Sequence, residues 1–191
     1  MQSTRTKKWV ALALVSGFFL LRLVNLNSLP IFSDEAINIH RVKLLGGGFE
    51  NLWITFEGAS KKPLTLWLTY PFYGFFSDPL VSCRFASVLF GFAAFLTVFL
   101  LATRLFNWNV AAFSALLYLA CPFMVFFERM FFQDHLVNFF AILFLFFLIR
   151  AAQDDRLGDY VLSGLSLGLA ALSKETALLF LIVPIFAFRI I

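Results

Sequence analysis

Apolar residues run through this chain in long uninterrupted blocks with short polar punctuation, not in a stripe along one helix face. A block of about 20 apolar residues, with roughly 17–25 tolerated, is long enough to cross the hydrocarbon layer as a helix. Backbone groups in lipid must find their partners within the protein, and a helix satisfies that within one segment. The pattern therefore predicts an all-α, polytopic transmembrane protein of about six spans, over residues 9–26, 81–105, 110–127, 136–152, 160–172 and 177–188. The fifth block is short. The last is still apolar where the chain stops, which reads as the N-terminal part of a longer protein.

A long outer loop, residues 27–79, separates the first span from the rest. Ser33 is a good helix N-cap, with Asp34 and Glu35 in the first turn and Gly46 as a stop. A short helix is expected from Asp34 to Leu45. Gly46-Gly47-Gly48 leads into Phe49, not into the Lys-Ser/Thr of a phosphate-binding loop, and reads as a turn. Pro63 suits the first turn of a second helix, which Pro71 interrupts. Trp67, Tyr70 and Tyr73 suit the membrane–water boundary, so this helix is expected to lie in the interface.

Composition supports the membrane reading. The 191 residues are 61% hydrophobic and 14% charged, too little polar surface to coat a water-exposed globule. Net charge is +4, but no Lys/Arg stripe of the kind that binds nucleic acid is present. Cys83 and Cys121 have neither metal spacing nor a disulfide framework.

Charge sets the expected orientation. Arg5, Lys7 and Lys8 precede the first block, and no small-x-small cleavage site follows it, so it reads as an uncleaved helix with a cytoplasmic N-terminus. Arg104, Arg150, Arg156 and Arg189 then fall on the same side. Asp34, Glu35, Glu50, Glu57, Asp78, Glu128, Asp134 and Glu175, eight of the eleven carboxylates, fall on the opposite side. Acidic residues contribute little to insertion, so this bias points to chemistry on the extracytoplasmic face.

Four polar clusters lie on that face. Asp34-Glu35 opens a helix, where an ionised carboxylate is favoured and can accept a proton or hold a divalent cation; two acids also simply start a helix well. Lys61-Lys62-Pro63 suits a phosphate, or a lipid headgroup. Glu128-Arg129 and Gln133-Asp134-His135 occupy a tight turn between apolar helices, where charges are costly unless paired. Ser173-Lys174-Glu175-Thr176 ends a short helix and reads as a cavity edge or a plain polar turn. Arg22 reads as a snorkelling or structurally paired side chain.

Taken in order, these residues resemble the GT-C superfamily of membrane glycosyltransferases, and within it the protein O-mannosyltransferase and lipid A aminoarabinose transferase branch. The likeness rests on the basic first span, Asp34-Glu35, Lys62-Pro63, Arg84-Phe85-Ala86-Ser87, Arg129 through Asp134, and Leu169-Ala170-Ala171-Leu172-Ser173-Lys174. Lys61 stands where the branch often has an acid, and Glu175-Thr176 stands where it has Gly-Pro.

The resemblance implies transfer of a sugar from a polyprenyl-phosphate donor to a hydroxyl of a lipid, glycan or protein acceptor. It implies catalytic roles for Asp34 and Glu35, and substrate-binding roles for Lys62, Arg84, Arg129, Asp134 and Lys174. A divalent metal ion is left open as cofactor, with no ligand set assigned. Two other classes fit the same composition. One is a transporter or flippase of a lipid-linked solute, which would carry charges deep in its spans. The other is a non-enzymatic membrane subunit.

Overall fold

A computed structural model describes residues 4–48, 51 and 63–187, with side chains as far as Pro184. Among these residues the chain is helical, without strands. Helices α1 (Thr4–Leu23) and α2 (Ser33–Leu45) are followed by α3 (Pro63–Thr69) and a 3₁₀ turn, Tyr70–Phe72, at Pro71. Then come α4 (Pro79–Leu105), α5 (Trp108–Ala120), α6 (Pro122–Glu128), α7 (Asp134–Asp154) and α8 (Leu157–Ser173). A 3₁₀ segment, Glu175–Leu181, leads into α9 (Ile182–Ala187).

By length and apolar composition α4 and α7 each suffice to cross a membrane. The α5–α6 pair counts as a third if taken as one span. Residues 110–127, expected as one helix, are thus two, bent by 64° at Cys121-Pro122. Proline supplies the cause, because it has no N–H for the helix ladder and its ring crowds the preceding turn. The other expected spans are helical, but α1 carries Arg5, Lys7, Lys8 and Arg22, and α8 has only 17 residues, about 25 Å.

Packing follows from side-chain size. Leu14 and Phe18 of α1, Val88, Ala94 and Phe95 of α4, and Ala115 and Tyr118 of α5 form one core. Leu64, Leu136, Phe140, Ala170 and Ala177 form a second, joining α3, α7, α8 and the segment after α8. On α8 the buried residues Ser163, Ser166, Ala170 and Ser173 recur at helical spacing. Small residues let helix backbones approach closely where lipid supplies no hydrophobic drive, and α8 lies along α7. The turn between them is tight, with Asp155 in the left-handed region at φ 48°.

The polar side chains divide between the two ends of the bundle. At one end Lys7 lies over the Trp108 ring at 5.7 Å, Arg104 bonds Gln153 at 2.7 Å and pairs with Asp154, and Arg150 meets Asp159 at 3.3 Å. At the other end the C-terminus of α1, the N-termini of α2, α4 and α7, the 129–133 link and the end of α8 converge.

Candidate active site at one end of the bundle

The start of α2 is fixed by Glu35, not by Ser33. Ser33 is the first helical residue, one position later than a cap would sit. Glu35 is fully buried and receives Arg84 Nε and Nη2, each at 2.7 Å. The Phe131 amide donates to Glu35 Oε1 at 2.9 Å, and the Phe32 amide reaches Oε2 at 3.4 Å. Arg84 spends its remaining donors on the carbonyls of Leu26, Leu29 and Pro30, at 2.8, 3.0 and 3.3 Å. This one ion pair ties together α2, α4, the α1–α2 link and the 129–133 link. Both partners are fully engaged within the protein.

Asp34 is placed differently. Adjacent helix residues point about 100° apart, so burying Glu35 turns Asp34 outward. Asp34 is exposed and has no ion pair among the described residues. The buried face of α2 runs through Glu35, Asn38, Val42 and Leu45 with Arg41 beside it, so Asp34 does not share a buried face with Asn38 and Arg41.

Arg129 Nη2 donates to Val24 O at 2.9 Å, Asn25 O at 2.6 Å and Ser28 Oγ at 3.2 Å. It therefore clamps the end of α1. Partial burial, then the like charge of Arg84, push its guanidinium below the usual arginine value.

Glu128 does not pair with Arg129. It turns into the bundle, 2% exposed, where Arg22 Nε meets Oε2 and the Tyr118 hydroxyl meets Oε1, both at 2.5 Å. Asn138 Nδ2 donates to Tyr118 Oη at 3.0 Å, extending the chain of polar groups to α7. Arg22 is fully buried and lies over the Phe18 ring at 4.0 Å. Gly91 of α4 makes room for this arrangement: a Cβ there would stand 2.6 Å from Glu128 Cδ and 2.8 Å from Cγ.

Asp134 and Lys174, 40 residues apart, are brought together, with Lys174 Nζ 2.7 Å from Oδ1. The two side chains are 49% and 37% exposed, which decides what the pair can do. An exposed pair contributes about 0–1 kcal/mol, so a ligand can displace it at small cost. The Glu35–Arg84 pair cannot be opened so cheaply, because freeing a buried charge costs roughly 3–5 kcal/mol. Asp134 and Lys174 stand at a cavity of about 390 Å³. Its remaining lining is mixed, with Glu128, His135 and Asn138 polar and Phe123, Met124 and Phe127 apolar.

Of the residues singled out from sequence, the structure therefore joins Glu35 with Arg84 and Asp134 with Lys174. It sets Arg129 against α1 and leaves Asp34 exposed. Lys62 lies outside the described residues. Among the described residues no three His, Cys, Asp or Glu side chains gather as metal ligands. The sequence reading left Tyr118 and Asn138 out of the site. Asn138 carried a signal, being the one polar residue between Leu136 and Ile149.

A helical bundle with apolar spans and a polar, cavity-bearing end fits a membrane protein. The chain matches the family of dolichyl-phosphate-mannose-protein mannosyltransferases over residues 60–191, 132 of its 191 residues. It belongs to that family, of membrane glycosyltransferases of the GT-C type. No curated protein and no solved structure matches the chain. The matched region takes in α3 to α9, hence Arg84, Arg129, Asp134 and Lys174, and leaves out the α2 residues Asp34 and Glu35.

Proposed function

We propose that the chain takes part in transfer of a sugar from a polyprenyl-phosphate donor to an acceptor hydroxyl at the extracytoplasmic face. Within the family we assign it to the protein O-mannosyltransferase and lipid A aminoarabinose transferase branch. The observation that carries this is the displaceable Asp134–Lys174 pair beside a cavity lined by both polar side chains and phenylalanines. A lipid-linked sugar phosphate has the matching parts, which are an apolar tail, an anion and a polyol.

The reaction is a displacement at the anomeric carbon. The acceptor oxygen forms the new glycosidic bond, the bond from the anomeric carbon to the phosphate oxygen breaks, and polyprenyl phosphate leaves. Asp34 takes the acceptor proton, for which an exposed carboxylate at a helix start is suited. Lys62 stabilises the departing phosphate, and Arg129 contributes further positive charge. Glu35 and Arg84 act by position, since they hold the first turn of α2 and with it Asp34. Lys174 and Asp134 receive the donor headgroup. The basic residues at the other end of the bundle support this orientation, because Lys and Arg favour the cytoplasmic side.

The test is direct. Protein reconstituted in lipid nanodiscs is given radiolabelled polyprenyl-phosphate mannose and hydroxyl-bearing acceptors. Release of polyprenyl phosphate with label on the acceptor is expected. Donor that stays intact with every acceptor class, in protein that still binds it, would mean a binding or carrier protein instead.

A further inference from the structure

His135 is a buried polar side chain that the reading above leaves without a task. It opens α7 beside Asp134 and is only 3% exposed. Neither Nδ1 nor Nε2 has a hydrogen-bond partner among the described residues. A buried polar group without a partner is costly, and such groups in native proteins call for an explanation. His135 also lines the cavity that Asp134 and Lys174 border. Phe90 stacks on its ring at 5.8 Å and 15°, and Phe131 packs beside it at 6.4 Å, tilted by 36°. The ring edge carries the two unpartnered nitrogens.

The chemistry of the surroundings selects the ligand group. Charge at this depth is already balanced, since Glu128 holds Arg22 and Tyr118. The cation at the rim is Lys174, whose exposed pair with Asp134 is readily displaced, so an anion has its partner there and not at His135. An imidazole carries one N–H donor and one lone-pair acceptor, the same complement as a hydroxyl. Asn138, one helical turn further along α7, offers a carboxamide to the same cavity.

We propose that His135 is a sugar-binding residue, hydrogen-bonding a hydroxyl of the donor sugar inside the cavity while Lys174 holds the phosphate at its rim. This rests on the glycosyl-transfer reading for the identity of the donor, but its test reads binding and not turnover.

Protein in nanodiscs is titrated with polyprenyl-phosphate mannose and with analogues that each lack one sugar hydroxyl. The same series is run on His135→Phe and His135→Gln. Phenylalanine keeps the ring packing with Phe90 and Phe131, and glutamine restores a donor and an acceptor. A site built to hydrogen-bond a hydroxyl rejects the analogue lacking it. The wild type should bind one analogue about 10- to 100-fold more weakly than the full donor. His135→Phe should bind that analogue and the full donor alike, and His135→Gln should recover most of the difference. Should His135→Phe fail to fold, His135→Leu takes its place. Discrimination unchanged in the apolar variant, or absent from the wild type, overturns the proposal, as does a wild type that binds none of these donors. Normal discrimination lost in His135→Phe, in a protein that transfers nothing, upholds the sugar contact and removes only the transferase reading.

Discussion

Glu35 and Arg84, 49 residues apart, meet through both carboxylate oxygens at 2.7 Å, and neither side chain reaches solvent. Their union decides which of two adjacent acids is free. Glu35 is consumed by the fold, and Asp34 faces outward because of it.

Breaking that pair from one side should be worse than removing it. Arg84→Met leaves a buried carboxylate unpaired, a loss of roughly 3–5 kcal/mol. The double variant Glu35→Leu with Arg84→Met leaves no charge behind and should recover a large part of this. Thermal unfolding of purified protein in detergent measures both. Equal losses in single and double variants would mean that the Arg84 contacts to Leu26, Leu29 and Pro30 carry the effect instead.

Asp34→Asn should insert and melt like the wild type, because its side chain is exposed. Its rate of sugar transfer should fall at least about 100-fold, the lower range for loss of a general base. Glu35→Gln should lose stability first. Initial rates with polyprenyl-phosphate mannose decide the matter, and near-normal turnover in Asp34→Asn returns Asp34 to the role of a helix start.

Lys62→Ala should weaken use of the lipid-phosphate donor by about 10- to 150-fold, the range for a charge-assisted contact of roughly 1.5–3 kcal/mol. Lys43→Ala, in the last turn of α2, should change it little. Donor KM for the two variants is the comparison. Similar effects would point to general surface charge.

Topology is checked by labelling. With Cys83 and Cys121 replaced, a cysteine at Asp78, the cap of α4, should react with an impermeant maleimide on intact cells. One at Asp155, between α7 and α8, should react only after permeabilisation. The reverse result would put the candidate site in the cytoplasm.

The sequence showed the helical class and the break at Pro71, because apolar block length and proline are local signals, but it reads 110–127 as one span straight across Pro122. Helix geometry also turns Asp34 away from Glu35, since 3.6 residues per turn point neighbours apart. It left undetermined which of the two would be buried, because that depends on Arg84. Arg22 and Glu128 are 106 residues apart, and no periodicity pairs them. His135 looked like one more charge-bearing loop residue beside Asp134. Its burial comes from Phe131, four residues upstream, together with Phe90 of α4, which local sequence does not bring near.

The missing side chain at position 91 has a consequence for descent. Glu128 fits into the bundle only because Gly91 offers no Cβ, and Arg22 is tolerable in the bundle only because Glu128 is there. Three residues on three helices therefore form one inheritable unit. A lineage that acquires alanine at 91 should shed the acid at 128 and the arginine at 22 as well. Chimeras that mix α1, α4 and α6 from lineages with and without the trio should assemble poorly, however similar the rest of their helices.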